Sequence, residues 1–175
     1  MNKITGTIIT LNAEKYILRT IESLKNISDE IIVLDSKSTD STRDIAKSAG
    51  AKVYTQEFLG DGLQKKEASN FASNSWIFSL DADEYLDQDL IDFVKKTDLS
   101  NISYDSFAFR RKNYCADEWI KAAGFYPDYV TRLYDKSRVN YDSRADHAAV
   151  DSRNILKTSC HIVHTTYESM EEWVD

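Results

Sequence analysis

Asp81, Asp83 and Glu84 put three carboxylates within four residues, directly behind the apolar run Trp76-Ile77-Phe78-Ser79-Leu80. The run has the length of a buried strand, and Ile77 and Phe78 favour the pleat. In an extended backbone the i, i+2 spacing of Asp81 and Asp83 sets both side chains on one face, roughly 6.6 Å apart at their roots. Two like charges at the mouth of a buried strand repel and lose hydration, so a positive group is expected between them. A hard divalent cation is the simplest candidate, since Mg²⁺ is usually held by one or two carboxylates plus substrate phosphates. The competing reading is a strand that ends in a solvated acidic turn. A calcium loop beginning at Asp81 is rejected. It would need Gly at its sixth position and Glu at its twelfth, where this chain has Leu86 and Asp92.

The elements that must position these acids can be read from hydrophobic periodicity. Ile4 to Leu11 reads as a strand, and Tyr16, Ile17, Thr20, Ile21 and Leu24 recur at helical spacing. Ile31-Ile32-Val33-Leu34, within Glu30 to Leu34, is a run typical of a strand covered on both faces. Ser41 to Ala49 reads as a helix, with Ser38 or Asp40 able to cap its start and Gly50 placed to end it. Lys52 to Thr55 is a third strand, Gln64 to Ala72 a third helix and Trp76 to Leu80 a fourth strand. Asp89 to Lys96 closes this half as a helix with Leu90, Ile91, Phe93 and Val94 inward. This alternation implies an α/β fold with a mainly parallel sheet covered by helices. After about Asn101 the segments Phe107 to Asn113, Val130 to Tyr134, Arg138 to Tyr141 and Leu156 to Val163 read as short strands. They suit an irregular α+β extension of the same sheet, so residues 1–175 are expected to form a single domain.

In open parallel sheets ligands bind beyond the carboxyl ends of the strands. The polar residues after the apolar runs are Thr10-Leu11-Asn12, Asp35-Ser36-Lys37-Ser38-Thr39-Asp40 and Asp81-Ala82-Asp83. Each alone could be a capping turn; together they are expected to line one rim and hold a nucleotide.

The chain has 175 residues, 29 acidic against 22 basic, and a net charge of −7, which argues against a nucleic-acid binder. No apolar run approaches the ~18 residues of a membrane span, and Met1-Asn2-Lys3-Ile4 leads straight into a strand-like segment rather than a secretory signal. Cys115 and Cys160 fit no metal spacing and no disulfide framework, so a reducing intracellular compartment is expected.

These residues resemble the family 2 glycosyltransferases of GT-A fold, and within them the branch of the bacterial lipopolysaccharide core β-glucosyltransferases. Thr10-Leu11-Asn12-Ala13-Glu14 is similar to that branch's opening Thr-Leu-Asn-Glu-Glu, with Ala13 in place of the first Glu. Asp35-Ser36-Lys37-Ser38-Thr39-Asp40-Ser41-Thr42 matches an Asp-Ser-x-Ser-Thr-Asp-x-Thr segment. Gly62-Leu63-Gln64-Lys65-Lys66-Glu67-Ala68 matches Gly-x-Gln-Lys-Asn-x-Ala except at Lys66. Trp76 to Glu84 matches Trp-Ile-x-x-Leu-Asp-Ala-Asp-Glu in full, and Gly124-Phe125-Tyr126-Pro127-Asp128 with Arg132-Leu133-Tyr134 matches a later pair of segments. Two departures stand out. Ala145-Asp146-His147-Ala148 occupies the place of a Val-His-Glu. Relatives also continue well past a His-x-x-Tyr such as His164-Thr165-Thr166-Tyr167, whereas this sequence stops at Asp175, within a plausible helix over Met170 to Val174. It therefore reads as a truncated piece, or as the catalytic half of something longer.

The resemblance implies a metal-dependent, inverting transfer of a sugar from a nucleotide-sugar, UDP-linked by expectation, to a glycan or glycolipid acceptor such as lipopolysaccharide. The implied setting is the cytoplasm or the inner face of the cell membrane. Mn²⁺ or Mg²⁺ is the implied cofactor, with Asp83 as direct ligand, Asp81 reaching the ribose or the ion through water, and His164 a further candidate ligand. Thr10, Leu11, Asn12, Glu14, Asp35, Lys65, Asp81 and Ala82 are the implied nucleotide-sugar contacts. Asp35 suits the imide N–H of uracil or else caps the turn behind it. Lys65 neutralises the diphosphate, lies near the base, or is a solvated helix lysine. Asp128 is the candidate general base: it follows Pro127, the only proline, on a loop that the ring stiffens. The alternative is a turn aspartate bonded to backbone amides. Arg132 either contacts phosphate or pairs with an acid, and Trp119, Tyr126 and Tyr129 either stack on an acceptor sugar or belong to the core. Two other functions compete. A nucleotidyltransferase would carry a glycine-rich basic loop after the first strand, and Asn12 to Tyr16 has no glycine. A non-catalytic sugar-binding module would not need Asp81, Asp83 and Asp128 together.

Overall fold

The computed structural model describes residues 3–115, 118–121, 126–142 and 148–167. In chain order its elements are β1 (Ile4–Thr10), α1 (Ile17–Leu24), β2 (Glu30–Asp35), α2 (Thr42–Ser48), β3 (Lys52–Thr55), α3 (Asp61–Asn70), β4 (Trp76–Asp81), β5 (Glu84–Leu86), α4 (Gln88–Lys96), β6 (Ser106–Cys115), β7 (Glu118–Trp119), β8 (Asp128–Asp135) and β9 (Ile155–Tyr167). The strands form one sheet in the order β3-β2-β1-β4-β8-β6-β9-β5, with β7 paired to β6. The first four are parallel. β8 then runs antiparallel to β4 and to β6, β9 runs parallel to β6, and β5 runs antiparallel to β9. The later strands thus extend the sheet of the first half.

The apolar runs occupy the centre because a strand covered on both faces must be apolar on both. Ile4, Ile8, Ile32, Val33, Leu34, Ile77, Phe78 and Leu80 are all essentially inaccessible. Helix α1 buries Ile17, Thr20, Ile21 and Leu24 on one stripe. It approaches β1 so closely that a Cβ at Gly6 would stand 3.1 Å from Leu24 Cδ1. Gly50, at φ +85°, ends α2 as its sequence position predicts, in a conformation that favours glycine. Helix α4 buries Leu90, Ile91 and Val94, while Phe93 lies edge-on to Phe107 and Phe109.

Three expectations are corrected. The third helix starts at Asp61 rather than Gln64. Arg138 to Tyr141 is no strand: the Asp135 carboxylate accepts from the Ser137 amide and hydroxyl, and its carbonyl accepts from the amides of Arg138 and Val139. The aspartate thereby offers the backbone a turn in place of a ladder, and only an isolated bridge from Tyr141 to Val150 remains. Asp83 does not continue an extended strand, since β4 stops at Asp81 and the chain turns through Ala82 and Asp83 into β5. The short β5 and β7 have no periodic signature. The departing segment 145–147 and the helix expected over 170–174 lie outside the described residues.

That turn dictates the shape of the sheet. β5 follows β4 after only two residues, which span at most ~10 Å from Asp81 to Glu84. In the ladder, however, β8, β6 and β9 stand between them, which in a flat sheet would separate the two strands by ~19 Å. The sheet must therefore curl until its far edge returns to the end of β4. This brings β6, β8 and β9 over the carboxyl ends of the parallel strands. Among the described residues no helix is long and apolar enough to cross a membrane.

At the opposite end of the sheet, Glu30 at the start of β2 ties three segments together. Its carboxylate accepts from Thr5 Oγ1 and Ser73 and pairs with Lys52. Partial burial pushes its pKa up, but Lys52, Ser73 and Thr5 outweigh this and lower it from 4.5 to about 2. A depressed carboxylate stabilises the fold fully above its unfolded value and loses that contribution as pH falls through the folded one. Acid unfolding should therefore weaken the protein between pH 4.5 and about 2 more steeply than it weakens Glu30→Gln. Parallel stability profiles of the two proteins across that window would count against the linkage.

Candidate active site

A cavity of about 400 Å³ opens at the carboxyl ends of β1 and β4, lined by Thr10 to Ala13, Ser36, Phe58 and Asp81 to Asp83 among others. The three polar clusters expected from the sequence do converge here. Asn12, at φ +48°, donates its amide to Ser38 Oγ and accepts from the Thr39 amide through Oδ1. Thr10 is buried, Leu11 is exposed at the mouth and Ala82 is buried, with its carbonyl accepting from Thr20 Oγ1 at 2.6 Å. Glu14 is not in the lining; its Oε2 accepts from the Ser41 amide. Ser38 holds the Asn12 loop, and Asp40 caps α2 through the Thr42 amide. Asp35 is completely buried, and Oδ2 accepts from the Ser38 amide at 2.9 Å, so the turn-capping reading holds. Its Oδ1 is buried with no hydrogen-bond partner, a cost usually met by a ligand or water.

Asp81 already has its positive partners. Lys65 Nζ lies 2.9 Å from Oδ1 and Arg132 Nη2 lies 2.8 Å from Oδ2. Burial pushes the Asp81 carboxyl up, but Arg132 and then Lys65 prevail and hold it well below the usual carboxylate range. Lys65 is only 5% exposed, which excludes the solvated-lysine reading, and Arg132 takes the acid-pairing alternative. Arg132 also reaches the inaccessible Glu84 at 2.7 Å, and Arg111 reaches it at 3.3 Å. The Arg132 guanidinium pKa is raised well above its ordinary value: burial opposes the charge, and Glu84 and Asp81 more than offset it.

Asp83 has different company. Its Oδ2 lies 3.3 Å from His164 Nε2. His164 Nδ1 lies 2.8 Å from Asn113 Oδ1, and Asn113 Nδ2 donates to Asp128 Oδ2 at 3.3 Å. The donor directions along this chain follow from its far end. A carboxylate only accepts, so the Asn113 amide must turn its NH₂ toward Asp128 and its oxygen toward His164. His164 Nδ1 must then carry the proton. In the neutral ring the Nε2 lone pair consequently faces the Asp83 carboxylate, acceptor against acceptor, and only a proton or a metal ion between them makes the contact favourable. Oxygen and imidazole nitrogen suit Mn²⁺.

Asp128 opens β8 at this rim. Arg111 Nη2 and Nε reach its Oδ2 at 2.8 and 2.9 Å, and among the described residues nothing donates to Oδ1. A carboxylate oxygen held on one side and open on the other can accept a proton. Arg111, Asn113 and Glu84 were given no role on sequence grounds. Their signal is weak: Arg111 and Asn113 stand at i, i+2 on one face of β6, within the polar run Arg110 to Asn113. A separate grouping of Asp87, Asp89 and His161 has ligand atoms within 4.8 Å of one another. Lys112 and the Gln88 amide occupy Asp87, however, and Asp89 pairs with His161. His147 lies outside the described residues.

Comparison with known proteins bears on the fold and the family. The chain is 38% identical over 156 residues to an uncharacterised glycosyltransferase of Rickettsia typhi, covering 87% of this chain and 53% of that protein. It is 30% identical over 149 residues to the lipopolysaccharide core biosynthesis glycosyltransferase LpsC of Rhizobium meliloti, covering 79% of this chain and 53% of that one. It thus spans about half the length of the curated relatives it matches. The crystal structure of S. aureus TarS 1-349 in complex with UDP-GlcNAc superposes with a TM-score of 0.70 at 17% identity, covering 99% of this chain and 61% of that one. Glucosyl-3-phosphoglycerate synthase of Mycobacterium tuberculosis, in complex with Mn²⁺ and UDP, superposes with a TM-score of 0.52 at 25% identity, covering 62% and 44%. The fold is GT-A. Residues 7–159 match the family described as Glycosyl transferase family 2, and the chain belongs to that family.

Proposed function

We propose that the protein is an inverting, metal-dependent glycosyltransferase that uses a UDP-linked sugar and a cell-surface glycan acceptor. The observation that carries the reading is the approach of His164 Nε2 to Asp83 Oδ2 at 3.3 Å, beside the cavity that Asp81 to Asp83 line. Asp83 and His164 would hold Mn²⁺ or Mg²⁺, and Asp81, already neutralised by Lys65 and Arg132, would orient the donor rather than ligate directly. When bound, the ion supplies charge stabilisation for the departing diphosphate. The buried, unpartnered Asp35 Oδ1 supports a role for Asp35 in accepting from the uracil imide. Thr10, Leu11, Asn12 and Ala82 line the same cavity.

In the reaction the acceptor hydroxyl oxygen attacks the anomeric carbon, and the bond from that carbon to the diphosphate oxygen breaks. The nucleoside diphosphate departs with the electron pair, and the hydroxyl proton passes to Asp128 Oδ1. Arg111 and Asn113 fix the Asp128 carboxylate by its other oxygen. A base on the face opposite the leaving group gives inversion.

UDP is expected to raise the melting temperature only with Mn²⁺ or Mg²⁺ present, adding ~2.7 kcal/mol at ~100 times its dissociation constant. Asp83→Ala should remove that metal dependence. An equal UDP shift in the presence of chelator would count against the metal-bridged site. Lack of any shift with UDP and metal would favour a different nucleotide.

A further inference from the structure

The curl leaves the outer face of β6, β8 and β9 turned away from the donor cavity, and this face has its own chemistry. Neighbouring residues on a strand point to opposite sides. Arg111 and Asp128 meet on the side of Glu84, while Arg110 and Tyr129, paired across the same two strands, take the opposite side. Arg110 donates to Tyr129 Oη at 3.0 Å and lies 3.4 Å from Tyr126 Oη. Lys157 sits over the Tyr129 ring at 5.1 Å and Lys121 over the Trp119 ring at 4.2 Å. The Trp119 and Tyr126 rings meet edge to face at 5.1 Å. In a chain with seven more acids than bases, none of Arg110, Lys121 and Lys157 has a carboxylate partner among the described residues. The nearby Asp87 and Asp89 are engaged by Lys112 and His161.

We infer that this outer face binds an acidic sugar of the acceptor, carrying a carboxylate or phosphate, at a position removed from the hydroxyl that reacts. The inference rests on the glycosyltransferase reading. Aromatic faces suit the C–H surface of a pyranose, and three cations without acidic partners suit an anionic substituent on it. Tyr126-Pro127-Asp128 joins the two sides, because the strand that carries Tyr129 outward begins at Asp128 on the rim. An extended acceptor can therefore lie on Trp119, Tyr126 and Tyr129 and pass over the strand end to present its hydroxyl to Asp128. Cations stacked on rings also occur as ordinary surface packing, worth little each. Three of them on one connected aromatic patch, beside the base and with no ion-pair partner among the described residues, favour a ligand.

Titration calorimetry at low salt with phosphorylated mannopentaose and tetragalacturonate, against neutral mannopentaose, tests this. At least one anionic oligosaccharide should bind about tenfold or more tighter than the neutral one, the scale of a few exposed charge pairs together. The triple variant Arg110→Gln/Lys121→Gln/Lys157→Gln should lose that preference while keeping the parent's melting temperature and its UDP and Mn²⁺ shift. Those shifts report on the donor site separately, so a failed donor site and a failed outer face give different results. Equal binding of neutral and anionic oligosaccharides would overturn the inference, as would an unchanged preference in the triple variant. Binding of phosphatidylglycerol vesicles without any preference among the oligosaccharides would also overturn it, marking the face as a lipid surface.

Discussion

Asp128→Asn is expected to lower sugar transfer by ~10²–10⁴-fold, the range for loss of a general base, while UDP and metal binding stay close to those of the parent. The amide keeps the shape of the side chain and can still accept from Arg111, which now reaches Oδ2 at 2.8 Å. What it cannot do is take a proton at the open oxygen. The pair with Arg111 is partly exposed, so its loss should cost at most about 1 kcal/mol of stability. The competing account makes Asp128 a purely structural partner of Arg111 and Asn113. It predicts the same small fall in melting temperature with only a modest fall in turnover. Measuring both on one preparation separates the two, and near-normal transfer with the correct donor and acceptor would remove Asp128 from the mechanism.

Arg132→Met should be among the most destabilising single changes in the chain. Arg132 is 5% exposed and bridges Asp81 to Glu84, which is 0% exposed. Removing the cation leaves the buried Glu84 carboxylate with the Asp81 amide at 3.1 Å and, as its remaining cation, Arg111 at the longer distance of 3.3 Å. Breaking a buried pair from one side typically costs ~3–5 kcal/mol. Pairing Arg132→Met with Glu84→Leu should recover much of the loss, since an apolar replacement of both partners is often neutral. The acid side of the profile should move as well. The lowered pKa of Asp81 means that its stabilisation is complete above the ordinary value of 3.8 and is lost only as pH falls through the depressed value. Without Arg132 that loss should begin at higher pH. Denaturant titrations of the single and double variants decide the matter: a single variant within 1 kcal/mol of the parent, an amount ordinary for surface changes, would show that the buried network carries little of the stability.

The parallel half of the sheet and the acids at its rim were legible because their signals are local. Ile31 to Leu34 and Trp76 to Leu80 are apolar on both faces, which only a central strand requires, and the polar residues behind them have to emerge at one edge. Asp81 and Asp83 do line the cavity at that edge, while Asp35 is buried at the end of β2. The partners of those acids were not legible. Lys65 is separated from Asp81 by 16 residues and Arg132 by 51, and His164 reaches Asn113 across 51. No periodicity within a window reports on such pairs. They form because three-residue β5 must stay beside β4 in sequence while bonding to β9 at the far edge of the ladder. The tertiary structure alone decided that Asp81 is neutralised by Lys65 and Arg132 while Asp83 meets the His164 imidazole. The physical reason is the curl: a two-residue turn too short to cross a flat sheet pulls β6, β8 and β9, with Arg111, Asn113, Asp128 and His164, over the ends of the strands that the sequence had already marked.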